Sequence, residues 1–190
     1  MPLSPVMQQW IQIAGLGWPV IVALGLQLAF FRLLNRTGKR FSQVSANHEA
    51  FDFQNKLTAA EIYEQIRDYT TESKRLYNRF FVIDFFFPLF ASLFLSLLWA
   101  VLLPRPESSV YQQLLRWNAP LFAFLPALFD WGENVCFVVI INRYPKVMPR
   151  LAQVAVIFKR LKLITLFATI GITLLLLVVT LIMWVQSLSH

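Results

Sequence analysis

The sequence predicts an all-α integral membrane protein: a four-helix bundle with a cytoplasmic amphipathic helix between spans 1 and 2. Three observations carry that prediction. Of 190 residues, 57% are hydrophobic and 14% charged, whereas soluble domains run at about 45–50% and about 25%. The apolar residues gather into four stretches, each near the roughly 20 residues that cross a hydrocarbon core about 30 Å thick. The seventeen basic residues are crowded into two of the segments between those stretches. A single cysteine excludes a disulfide scaffold, and the apolar content excludes a disordered chain.

The first charged residue is Arg32, and span 1 is placed at about 9–31. A secretory signal opens on basic residues, has a shorter apolar core and ends at a small-residue cleavage site. This run lacks the basic opening and continues to Phe31, where Arg32, Arg36, Lys39 and Arg40 stop it, so an uncleaved span is expected. Span 2 is placed at about 80–103, ended by Pro104 and Pro106, and span 3 at about 119–142, closed by Tyr144-Pro145. Span 4 is placed at about 163–185, which makes 1–190 a single membrane domain without internal repeats.

Of the basic residues, none precedes span 1, nine lie in 32–79, two lie between spans 2 and 3, six lie in 143–162 and none follows. The positive-inside rule then puts loops 32–79 and 143–162 in the cytoplasm and both termini outside. The net charge of +7 is explained by two basic faces held against anionic lipid. Membrane lipids are therefore the expected partners. Nucleic acid is not, because no binding motif accompanies the charge.

Thr58 and Glu61 have capping-box spacing, and Ile62, Ile66, Tyr69, Leu76 and Phe80 follow at helical intervals. Glu64, Arg67, Asp68, Glu72, Lys74 and Arg75 occupy the other face. An amphipathic helix over about 58–79 is expected, running into span 2. It lies either on the membrane surface or on the protein's own cytoplasmic end. Pro149 suits a first helical turn, so span 4 begins early, with Lys159, Arg160 and Lys162 reaching back to lipid phosphates.

Asp84, Asp130 and Glu133 fall inside spans, where an ionised side chain costs about 2.5–3.5 kcal/mol on insertion scales. Asp130, Glu133 and Asn134 share one helix face with Ala123, Ala127, Phe137 and Ile141. Counted from Arg143 at about 1.5 Å per residue, Glu133 and Asp130 lie about 15 and 20 Å deep. No cation is expected at that depth on another span. At least one of the two carboxyls is then expected to hold a proton, or the face lines a wet cavity that receives a cationic or hydrogen-bonding ligand. Asp130, Glu133, Asn134 and Asp84 are thus the candidates for binding a ligand or a proton. Asp84 lies nearer the cytoplasmic boundary, with Lys162 and Arg143 as ion-pair candidates. Pro88 deprives the Asp84 carbonyl of its helical donor, and Pro126 does the same to Phe122. Such polar clusters can also serve only to fix helix register.

No metal site or cofactor is expected. His48 and His190 are the only histidines, and no P-loop, G-x-G-x-x-G, H-E-x-x-H or G-x-S-x-G is present. No catalytic residue can be named.

Three segments carry a resemblance: Phe51-Asp52-Phe53-Gln54, then Ile83-Asp84-Phe85-Phe86-Phe87-Pro88 opening span 2, then Asp130-Trp131-Gly132-Glu133-Asn134 in span 3. From about Phe51 to span 4 the chain resembles a group of small polytopic, largely bacterial membrane proteins without an established activity. The resemblance implies the same architecture and a bacterial inner membrane, and it singles out the same acidic residues. The expected role is binding or moving a small molecule, a lipid or a proton. The alternatives are an accessory subunit with a membrane protein partner, and a lipid-modifying enzyme using Asp130 and Glu133 as acid and base.

Overall fold

The computed structural model describes residues 2–104 and 109–188, and Pro106 and His190 lie outside them. The described residues form helices α1 (Pro5–Gly15), α2 (Trp18–Val44), α3 (Ala59–Arg67), α4 (Thr71–Leu102), α5 (Ser109–Arg116), α6 (Leu125–Arg143) and α7 (Pro149–Leu188). Two 3-10 segments, Phe51–Phe53 and Ala119–Phe124, precede α3 and α6, and no strand occurs among the described residues. The fold is all-α. Four stretches are long and apolar enough to cross a membrane: Trp18–Val44, Thr71–Leu102, Ala119–Arg143 and Pro149–Leu188. Their outward faces are apolar as well. Ile21, Ile164, Phe167 and Leu175 are each more than 60% exposed, a surface suited to lipid and ill suited to water.

Two helix boundaries correct the sequence reading. Span 1 is not one helix over 9–31. Gly17, at φ +75°, breaks the chain between α1 and α2 in a conformation that favours glycine. α1 is capped by Ser4, which accepts from the Met7 amide at 3.2 Å, and packs on α4 through Trp10, whose indole donates to Ser96 Oγ at 2.9 Å. α2 then runs past Phe31 to Val44 without stopping at its basic residues, whose long stems keep their charges outward.

The amphipathic helix expected over 58–79 is two helices. The Thr58–Glu61 capping box is present, with Thr58 N donating to Glu61 Oε2 at 2.7 Å. A second capping box, Thr70 with Ser73, starts α4 anew after a break at 68–70. α3 packs on the bundle, with Ile62 and Ile66 fully buried in its core. It is a cap on the protein's own end. Pro126 also departs from expectation, because α6 begins at Leu125 and the ring sits harmlessly in its first turn.

α4 is central. α2 lies antiparallel along it, with Phe30 against Phe86 and Phe90, Phe31 against Phe87 and Phe41 against Tyr77. α6 and α7 form the second antiparallel pair, joined by residues 144–148 alone. The core at the basic end of the bundle is dense, with Phe41, Phe51, Tyr77, Phe80, Phe137 and Ile140 all buried. Gly38 lets the Phe53 ring approach α2 there, since a Cβ at that position would meet the ring at 2.5 Å.

Candidate functional site

Four elements bring ionisable side chains together at the basic end. α6 presents Asp130, Glu133 and Asn134, α4 presents Asp84, α7 presents Lys159 and Lys162, and the Phe51–Phe53 turn presents Asp52. The carboxyls on α6 and the ammonium groups on α7 are each spaced i, i+3. Antiparallel helices therefore match them in two rungs. Lys159 Nζ lies 2.9 Å from Glu133 Oε1, and Lys162 Nζ lies 2.5 Å from Asp130 Oδ1 and 3.4 Å from Glu133 Oε2. Both Lys159 and Glu133 are essentially inaccessible to solvent, at 3% and 0%.

The Phe51–Phe53 turn plugs into this ladder. Phe51 is held between the Tyr69, Tyr77 and Phe137 rings, which pins the turn in place. Its backbone then serves Lys159, whose Nζ donates to the carbonyls of Phe51 at 2.8 Å and Asp52 at 3.2 Å. The Asp52 carboxylate reaches Lys162 in a short charge-assisted contact. Burial opposes ionisation of Asp52, but the Lys162 and Lys159 ammonium groups outweigh it and hold its carboxyl below the ordinary 3.8.

Asn134 is the link to α4. Its Nδ2 donates to Asp84 Oδ2 at 2.6 Å and to Asp130 Oδ2 at 3.0 Å. Asp84 is thus held by an amide. Lys162, expected to pair with it, goes instead to Asp52, Asp130 and Glu133, while Arg143 is exposed at the end of α6 and enters no ion pair among the described residues. Beside the cluster, Trp131 stacks on Phe85 at 4.8 Å and donates to the Phe85 carbonyl at 2.8 Å, on the turn that Pro88 follows. α4 stays helical through Pro88.

The expectation that the two α6 carboxyls lack a cation is overturned, because Lys159 and Lys162 pair with them. Counted from Pro149, Lys159 sits ten residues along α7, the distance at which Glu133 sits from Arg143 on α6. The two residues are therefore level. Depth also changes when counted along α7, where the uncharged run 163–188 beyond Lys162 spans about 39 Å. That run alone crosses a core of about 30 Å. Along α7 the cluster therefore lies at the basic end of the apolar run, whereas along α6 it lies within the stretch Ala119–Arg143.

Sequence reasoning missed Asp52 and Lys159 as members of the site. The signal for Lys159 was available: K-x-x-K in α7 complements D-x-x-E in α6 when the helices run antiparallel.

The cluster forms the polar end of a cavity of about 440 Å³ between α2, α4, α6 and α7. Asp52, Asn55, Asp130 and Lys162 lie at that end, and Phe87, Ala91, Leu95, Leu166 and Ile170 are among its apolar walls. Gln27 of α2 adds an acceptor, Oε1, buried without a hydrogen-bond partner. Three more buried polar atoms at the cluster lack a hydrogen bond: Asp84 Oδ1, Glu133 Oε2 and the Tyr77 hydroxyl. Four carboxyls and two ammonium groups leave a formal charge of −2 when all are ionised. One oxygen from each of Asp52, Asp84 and Asp130 lies within 4.8 Å of the others, a spacing that could hold a metal ion, but Lys162 already contacts two of the three.

The arrangement can hold a charged or hydrogen-bonding head group beside an apolar tail. The chain matches no protein-family model, no curated protein and no solved structure.

Proposed function

We propose that this is a multi-pass protein of a bacterial inner membrane that binds, and through binding moves, a small amphipathic molecule or lipid. The polar end of the ligand rests on Asp52, Asp130 and Lys162, and its apolar part lies along α4 and α7. The observation that carries this reading is the division of the 440 Å³ cavity into one charged end and walls that are apolar apart from Gln27 and Ser92. Ligand sites are commonly of this size and kind, mostly apolar with a few converging polar groups. The orientation that supports it has loops 32–79 and 143–162 in the cytoplasm. The mouth of the site then faces the inner leaflet.

Native mass spectrometry of the protein extracted in mild detergent tests this, with Ala91→Trp as the comparison. That substitution fills the cavity and leaves every charge in place. A small molecule or lipid retained by the wild type and absent from Ala91→Trp is the expected result. A protein that co-purifies equally with both, with no small ligand on either, would instead make the chain a subunit of a larger membrane complex.

A further inference from the structure

Resting on that reading, we infer that the polar end of the ligand is an organic cation, an ammonium group carrying an alkyl or similarly apolar tail. Charge is the first reason. The ionisable groups that line the cavity are Asp52, Asp130 and Lys162, one more carboxyl than ammonium group, and an anionic head group would face that excess. Hydrogen bonding is the second. Gln27 Oε1, which lines the cavity, is a buried acceptor without a hydrogen-bond partner and calls for a donor. An ammonium head group brings N–H donors and a positive charge, and it shares the Asp52 and Asp130 carboxylates with Lys162.

The cavity walls separate an organic cation from a bare metal ion. A hard ion would use the carboxylate oxygens and nothing else. Phe87, Ala91, Leu95, Leu166 and Ile170 continue away from the charged end and give a tail a dry surface. The volume is roughly fifteen times a water molecule's share of the liquid. An alkyl chain of about ten carbons is of that size.

The test places the protein in phosphatidylcholine nanodiscs and offers decylamine, decanol and decanoate separately at neutral pH, counting retained molecules by native mass spectrometry. One decylamine per chain is expected, retained at least tenfold better than the other two. Asp130→Asn should lower that retention about tenfold, the loss of one charged hydrogen bond, and Ala91→Trp should abolish it. Gln27→Leu, outside the ion network, should lower it several-fold even if Asp130→Asn fails to fold. Decanol or decanoate retained as well as decylamine, and blocked by Ala91→Trp, would overturn the cationic head group and leave the cavity reading standing. Retention of none of the three, or retention indifferent to Ala91→Trp, would overturn both. Calcium or sodium bound without discrimination among the amphiphiles would make the cluster an inorganic-ion site and also overturn the inference.

Discussion

The two antiparallel pairs of long helices, α2 with α4 and α6 with α7, are held by different chemistries. The α2–α4 seam is aromatic, with Phe30, Phe31 and Phe41 meeting Phe86, Phe90, Phe87 and Tyr77 at 5.1–5.8 Å. The α6–α7 seam carries two buried ion-pair rungs, and Gly132 lets Phe158 come close. Lipid tails solvate phenyl rings nearly as well as other rings do, so the aromatic seam gains mainly dispersion and ring geometry. Buried charges have no such alternative. The first seam tolerates loss of a contact, whereas the second is stringent because any unpaired member is left as a charge in low dielectric.

The largest contrast should come from removing one member of a rung. Lys159→Met leaves Glu133 only the longer contact to Lys162 and is expected to cost about 3–5 kcal/mol, whereas Phe30→Ala should cost about 0.5–1.5 kcal/mol. Denaturant unfolding in detergent measures both, and equal losses would dissolve the distinction between the seams. The double substitution Lys159→Met with Glu133→Leu should then recover most of that loss, because paired charges replaced by apolar groups are often neutral or stabilising. Failure to recover would mean that the Phe51 and Asp52 carbonyls are the important partners of Lys159. Glycine substitutions probe the same contrast on a smaller scale. Gly132→Ala places a Cβ 3.0 Å from the Phe158 ring and should cost about 1–3 kcal/mol. Gly25→Ala in α2 meets nothing within 4 Å and should change stability by less than about 0.5 kcal/mol.

Acid should sharpen the contrast least. Because the folded-state pKa of Asp52 lies below its ordinary value, its contribution is complete above about 3.8 and is lost as pH falls through the lowered value. The protection of amides across 45–58, taken relative to their intrinsic exchange at the same pH, should therefore fall in acid below that point. The aromatic contacts of Phe30 and Phe31 contain no titrating group and should stay protected.

The four apolar stretches were legible because each holds enough consecutive apolar residues to register by length alone. Thr58 and Glu61 were legible because a capping box is a local pattern. The break at 68–70 was harder to see, since Thr70-x-x-Ser73 uses a serine where the usual box has Glu or Gln. In the site, the acidic residues announced themselves through their cost in an apolar span. Lys159 did not, because a lysine at a predicted helix end is an ordinary snorkelling residue and its depth depends on where α7 begins. Asp52 was hidden for another reason. Its place in the cluster comes from Phe51 packing on Tyr69, Tyr77 and Phe137, contacts distant in sequence.

The short connection between α6 and α7 has a consequence for biogenesis. Entering the bilayer alone, α6 would carry Asp130 and Glu133 without counter-charges, and α7 would carry Lys159 and Lys162 in the same condition. Each charge is costly in an apolar segment while it lacks a partner. Only residues 144–148 separate the two helices, so they emerge from the ribosome nearly together and can neutralise each other as a hairpin. The smallest unit that enters the membrane cheaply is therefore the helical pair. A slip of one turn between its arms would leave Lys159 opposite Cys136 and Asp130 opposite Thr165, so the paired charges also reject misaligned assembly.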